Sequence, residues 1–209
     1  MKYKASGGED FKPLRPGSHI GVCDIVADLG IQRGNDLYPD KRKVHIRFAI
    51  PVERVEFERD GKKINGPAVI GQTFTASMHQ KANLRIFLEG WRGRKFTDQE
   101  AEDFETSTVL GKPAMLNVVQ NAKNGKVYAN IASAALLPKG IAAPPLEIDP
   151  VYYGPDNPGT LELLPQWLRD KIATQVIVQN PTLPQAGDDG PGYSDSDVPF
   201  EADDSDIPF

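Results

Sequence analysis

The chain is 209 residues long and 39% hydrophobic, with 24 Lys and Arg against 29 Asp and Glu, a formal net charge of −5. A single cysteine, Cys23, excludes an internal disulfide framework and a cysteine-based zinc site, and His19, His45 and His79 lack the spacing of a helical metal pair. No apolar run reaches bilayer length and Met1–Gly8 has no signal-peptide core, so a cytoplasmic protein with no membrane partner is expected.

Residues 1–17 are polar and rich in Gly and Pro, an irregular arm. From Ser18 the pattern is that of strands. Ile20 to Leu29 is rich in β-branched and apolar residues, and strict alternation puts Asp24 and Asp28 on the face of Val22 and Val26. Lys43 to Ile50 alternates cleanly, with Val44, Ile46, Phe48 and Ile50 on one face and Lys43, His45 and Arg47 on the other. Val52 to Phe57 continues as strand toward an Asp60-Gly61 turn, and Gln72 to His79 is the third clear strand. The period then changes. Leu84, Phe87, Leu88 and Trp91 fall at i, i+3, i+4 and i+7, one face of a helix. Thr97 and Glu100 form a capping box that opens a second short helix to about Glu105. Met115 to Asn121 and Lys126 to Ser133 flank Asn124-Gly125, a closing hairpin.

Several strands, a helical insertion and a hairpin predict a mainly β domain over residues 18–137. Its form is an OB-fold-like five-stranded Greek-key barrel with the helical insertion between strands 3 and 4. Strands and helices do not alternate, which argues against a doubly wound α/β sheet and leaves a β-sandwich as the alternative. Residues 138–160 carry Pro144, Pro145, Pro150, Pro155 and Pro158 and form an extended arm. Leu164, Trp167, Leu168 and Ile172 then mark an amphipathic helix, with Pro165 near its first turn, that completes the 138–179 segment. It is expected to pack back on the barrel; a partner-binding helix is the alternative.

Charge is split along this order. Residues 1–140 hold 22 Lys and Arg against 16 Asp and Glu, a net of +6; residues 141–179 hold 2 against 5, a net of −3. Residues 180–209 hold eight acids and no base. Such a segment cannot bury enough apolar surface to offset its chain entropy and is expected to be a disordered acidic tail. It carries two copies of Asp-Ser-Asp-(Val/Ile)-Pro-Phe, at 195–200 and 204–209. Each is a hydrophobic dipeptide stiffened by proline, the form of a docking peptide. Ile207, Pro208 and Phe209 enter an apolar pocket, the terminal carboxylate meets an Arg or Lys, and Asp203, Asp204 and Asp206 meet a basic rim. Val198, Pro199 and Phe200 form the internal copy, which lacks the free carboxylate and is expected to dock less well.

The closing Asp203-Asp204-Ser205-Asp206-Ile207-Pro208-Phe209 resembles the acidic tip of bacterial single-stranded DNA-binding proteins, which recruits replication and repair enzymes. Phage counterparts also end on acids and a terminal aromatic. The resemblance covers the last seven residues and is echoed at 195–200. It implies single-stranded DNA as ligand and recruitment of a polymerase, helicase, primase or recombinase through the tail. It also implies a bacteriophage setting in the host cytoplasm.

On a barrel, a strand of DNA needs cations along its backbone and aromatic faces for its bases. The candidates are Lys41, Arg42 and Lys43 before the second strand, with His45 and Arg47 on its outer face. Arg59, Lys62 and Lys63 surround the Asp-Gly turn, and Arg92, Arg94 and Lys95 follow the first helix. Lys126 and Tyr128 lie on the polar face of the closing hairpin, Tyr128 being the best single stacking candidate. Trp91, Phe48 and Phe74 are assigned to the core. The sequence has no Walker-type loop and no Gly-x-Ser-x-Gly elbow. The expected function is therefore a non-enzymatic, sequence-tolerant single-stranded DNA-binding protein with no cofactor, compatible with a homo-oligomer. A recombination annealing or adaptor protein is the first alternative. Glu53, Glu56 and Glu58 with Lys62-Lys63 raise a metal-dependent nuclease as the lesser one.

Overall fold

A computed structural model describes residues 13–59 and 62–176, the side chains of 57–59 and 62 excepted. The expectations for residues 1–12 and for the acidic tail lie outside them. The elements are β1 (Gly17–Gln32), β2 (Lys41–Arg59), β3 (Lys62–Thr75), α1 (Asn83–Arg92), α2 (Asp98–Glu102), β4 (Pro113–Lys123), β5 (Lys126–Ala135), β6 (Val151–Tyr153) and α3 (Gln166–Ala173). Single 3₁₀ turns fill Thr106–Val109 and Pro158–Leu163. Five strands form one curled antiparallel sheet, a half-barrel, in the order β3-β2-β1-β4-β5. β6 joins it in parallel beside β1.

β1 organises the rest. Its first half pairs with β4 from Gly17↔Val118 to Val22↔Pro113, while Ile25 to Ala27 pairs with β6. Its other edge pairs with β2, with register shifts between Cys23 and Ile25 and between Asp28 and Gly30. Each shift inserts a residue and changes the phase of the pleat. The expected alternation of Val22, Asp24, Val26 and Asp28 on one face is therefore corrected. Cys23 and Val26 enter the core inside the curl, whereas Ile25, Ala27 and Leu29 face outward into a second cluster.

β2 behaves as its pattern predicts: Val44, Ile46, Phe48 and Ile50 are all buried inside. β3 is longer than expected, starting at Lys62 and ending at Thr75. In the fold, Pro67 pairs with Arg54 where the β2–β3 register shifts, so the missing N–H costs the ladder little. The β4–β5 turn is as predicted, with φ of 51° at Asn124 and 77° at Gly125, the two positive values a type I′ turn demands.

α1 lays Leu84, Phe87, Leu88 and Trp91 against the inner face of the sheet. Phe48 meets Trp91 at 5.0 Å between ring centroids and Phe74 meets Phe87 at 4.9 Å; the Trp91 indole N–H donates to the Pro113 carbonyl at 2.8 Å. Trp91, Phe48 and Phe74 are thus core residues, as expected. The capping box of α2 is present, Thr97 accepting from the Glu100 N–H and Glu100 from the Thr97 N–H, though the helix stops at Glu102.

The arm after β5 crosses to the outside of the sheet. Glu147 pairs with Arg54 of β2, β6 hydrogen-bonds along β1, and Leu168 and Ile172 of α3, with Leu164 just before it, pack on Ile25, Ala27 and Leu29. The Val176 N–H closes the arm on the Ile31 carbonyl at 2.7 Å. The amphipathic helix therefore packs back on its own sheet.

His45 shows how tightly that outer side is built. Its ring lies against Gly71 of β3, where an added Cβ would come within 2.7 Å of Cε1 and closer still to Nε2. Gly71→Ala is expected to lower stability by about 1–3 kcal/mol in urea unfolding. Most of that loss should vanish in a His45→Ala background; an undiminished loss there would place the strain elsewhere.

Candidate nucleic-acid interface

The outer face of β1–β2–β3 carries the polar set that the alternation of β2 predicts, but it is not open. His45 is 1% exposed. Its Nδ1 lies 3.0 Å from Thr73 Oγ1, its Nε2 has no hydrogen-bond partner among the described residues, and the Trp167 indole of α3 meets it edge-on at 4.9 Å. Arg47 is held by Asp24, with Nη2 to Oδ2 at 2.7 Å and Nε at 3.1 Å and 3.2 Å from the two carboxylate oxygens. Asp24 itself is the buried residue at the first β1 bulge. The expectation of a cationic outer surface is thus corrected at His45 and Arg47. The cause is the arm: its apolar helix face needed cover, and the outward Ile25, Ala27 and Leu29 supplied it. Burial, followed by Arg47 and Lys171, pushes His45 down to about 3 and keeps the imidazole neutral.

At the β1–β2 loop, Arg42 is committed to Asp28. Lys43 stretches to Thr75 Oγ1 at 3.4 Å. Lys41 and Arg33, the latter not singled out by the sequence reading, hold no side-chain hydrogen bond or ion pair among the described residues. The loop between them is ordered by Asn35, whose Oδ1 accepts from the Leu37 and Tyr38 N–H groups at 2.9 and 3.0 Å, and by Asp40, which accepts from Gly34.

The basic loop after α1 has a structural occupation. Glu100 takes Arg92 at 3.0 Å and Arg94 at 2.7 Å while capping α2. Glu89 takes Lys95 at 2.7 Å, Arg85 at 3.1 Å and the Phe96 N–H at 3.1 Å. The Arg92 guanidinium also stacks over Phe96, 4.0 Å from its centroid. Lys95 foremost, then the Phe96 N–H and Arg85, hold Glu89 at about 2; Arg94, the Thr97 N–H and Arg92 hold Glu100 at about 2. Arg92, Arg94 and Lys95 therefore fasten the loop to two carboxylates.

The β4–β5 hairpin is different. Asn121, Lys123, Lys126 and Tyr128 lie on its outer side, and Tyr128 is 37% exposed. Lys126 holds no side-chain partner among the described residues. Lys63 is exposed near the β2–β3 tip, whereas the side chains of Arg59 and Lys62 lie outside the described set. No single patch brings all the sequence candidates together. No protein-family model matches the chain, and no curated protein matches it.

Of the other features, Glu53 lies 3.7 Å from His19 and Glu56 is exposed. Among the described residues no three His, Cys, Asp or Glu side chains converge as a metal cluster, and no helix is long and apolar enough to cross a membrane. An apolar groove of about 790 Å³ opens between α1, α2 and the chain after β5, lined by Leu88, Trp91, Phe96, Phe104, Val109 and Leu136. Sequence reading missed the Asp24–Arg47 pair and the Trp167–His45 contact. The first depends on a bulge, the second on an arm returning across the sheet.

His45 gives the site a pH signature. Its ordinary value of 6.5 falls to about 3 in the fold, so the unfolded chain binds more protons between those values. The groups around it are Arg47 on β2, Lys171 on α3 and Thr73 on β3, with Asp24 on β1 neutralising Arg47. Stability from this residue is complete above pH 6.5 and is lost as pH falls, by up to about 1.4 kcal/mol per pH unit. Urea unfolding at pH 7, 6 and 5 is expected to show this loss above the carboxylate range and to show it abolished in His45→Gln. An unchanged slope in that variant would assign it to another group.

Proposed function

We propose that this chain is a non-enzymatic, sequence-tolerant single-stranded DNA-binding protein that coats DNA in replication or recombination. Its acidic tail then recruits partner enzymes. The observation that carries the reading is the strand order. β1 is flanked by β2 and β4, β3 and β5 are the outer strands, and the helices sit between β3 and β4. That is the order of a five-stranded OB-fold Greek key left open between its third and fifth strands. The two loops that flank ligands in such a fold both carry cations without a side-chain partner among the described residues: Arg33 and Lys41 at the β1–β2 loop, and Lys126 beside Tyr128 at the β4–β5 hairpin. The charge split, +6 over residues 1–140 and −8 over 180–209, supports a polyanion on the body and a basic partner on the tail.

Fluorescence titration with oligo(dT) at several salt concentrations tests this. Affinity is expected to fall with salt, with a log–log slope of about −0.7 per phosphate neutralised. Lys126→Ala should shrink that slope by about one phosphate's worth, and Tyr128→Ala should cost about 1–3 kcal/mol. Arg94→Ala should change the slope little, because Glu100 already holds that guanidinium. Salt-independent binding, or none, would refute the reading.

Deletion of residues 201–209 is expected to abolish capture of a replication partner while leaving or tightening DNA affinity, since the acids no longer compete for the cations. Weaker DNA binding after deletion would contradict this. In strand-annealing assays the coating protein slows annealing; acceleration would favour the adaptor alternative.

A further inference from the structure

We propose that α3 is a displaceable cover and that its Trp167 occupies the seat of a base on the outer face of β1–β2–β3. The inference rests on the single-stranded DNA reading and adds how that site is regulated.

The covered face is chemically divided. Under Leu164, Leu168 and Ile172 it offers Ile25, Ala27 and Leu29, a matched apolar contact. Under Trp167 it offers His45 and Thr73, with the Arg47–Asp24 pair one step along β2 and Lys43 one step the other way. An interface built to stay shut would pair or remove its polar groups, because each buried orphan costs free energy. Here His45 Nε2 is buried without a hydrogen-bond partner among the described residues. Trp167 is only partly buried and touches His45 by its edge. An aromatic resting on a polar shelf takes the place a base would fill. Of the two cations beside it Arg47 is paired with Asp24, while Lys43, bonded among the described residues only to the Thr75 hydroxyl, is left for a phosphate. Lys41 and Lys43 continue the same side of β2 to the loop, a backbone path leading away from that seat.

The cover itself is slight. α3 spans eight residues, too few to persist alone, and buries two of them, Leu168 and Ile172. β6 is held by its ladder to β1 and the chain after α3 by the Val176–Ile31 hydrogen bond, so both ends stay attached while lifting the helix gives up its apolar contacts and the bond Gln32 Nε2 donates to the Lys171 carbonyl at 3.2 Å.

Binding and opening are then linked. If only the open form takes DNA at this face, apparent affinity is scaled by the open fraction, and saturating DNA must open the helix. Hydrogen exchange on the full chain, with and without oligo(dT), reads this directly. Amides of residues 166–173 are expected to lose roughly tenfold or more of their protection as DNA saturates. Leu168→Ala, which weakens one anchor, is expected to tighten oligo(dT) binding by a similar factor. Should that variant misfold, the exchange experiment on the unaltered chain decides alone. If oligo(dT) binds while the α3 amides keep or gain protection, the cover idea is overturned and the DNA reading stands. If neither the unaltered chain nor the variant binds oligo(dT), both fall together.

Discussion

The change of phase in β1 is the constraint on which the other parts depend. β1 is paired on both edges, by β2 on one side and by β4 then β6 on the other. It is also covered on both faces, by the α1 cluster inside and the α3 cluster outside, so it needs apolar residues on both, and a plain two-residue period would have spent one face on Asp24 and Asp28. The two bulges resolve this. They send Cys23 and Val26 inward, Ile25, Ala27 and Leu29 outward, and leave Asp24 at the irregular position. The outward set gives the arm somewhere to pack. Full burial of Leu164, Leu168 and Ile172 contributes about 1.5–3 kcal/mol each, an upper estimate. Asp24 needs a fork of donors, and Arg47, opposite Ile25 on β2, supplies it. Removing either partner would leave a buried charge uncompensated, which costs more than the pair gains by forming.

The parts of the fold legible in the sequence are those set by local rules. The alternation of Val44 to Ile50, the helical spacing of Leu84 to Trp91, the Thr97–Glu100 box and the Asn-Gly turn each depend on a few neighbouring residues, and each is found in place. The parts that were not legible depend on long-range pairing. Whether Pro67 ends a strand or sits at a shift depends on Arg54 opposite it. Whether His45 faces solvent depends on Trp167, 122 positions later in the chain. Alternation says which face a side chain takes and nothing about what else covers that face. At the hairpin tip nothing among the described residues crosses Tyr128 and Lys126 to bury them, but Val127, on the opposite face by alternation, is exposed as well, because the tip extends past the helix that covers the rest of the sheet's inner face.

Counting charge in sequence overstates the cations a ligand can reach. Arg42, Arg47, Arg54, Arg85, Arg92, Arg94 and Lys95 all face a carboxylate in the fold. Six of the seven are arginines, whose planar fork matches a carboxylate and is more weakly hydrated than an ammonium. The body's excess positive charge therefore reaches solvent mainly through lysines with long free stems, such as Lys41 and Lys126, and through Arg33. A lysine used this way acts as a point charge on a phosphate and carries no sequence information. The tolerance for sequence proposed above follows from which cations are left over.

The root of the acidic segment adds a direction. Val176 is bound to Ile31 at the end of β1, beside the loop that carries Arg33 and Lys41. The first of the eight acids is Asp188, about twelve positions further along the chain, whereas Lys126 lies at the other end of β1, past the β4 pairing at Gly17. Tethering raises the effective concentration of a segment near its root, so the competition proposed above between acids and DNA is expected to weigh more on the β1–β2 loop than on the hairpin. Among the described residues the two ends of β1 are unequal in any case: Lys126 and Tyr128 stand uncovered at the hairpin, whereas His45 lies under the Trp167 indole and Arg42 and Arg47 each face a carboxylate.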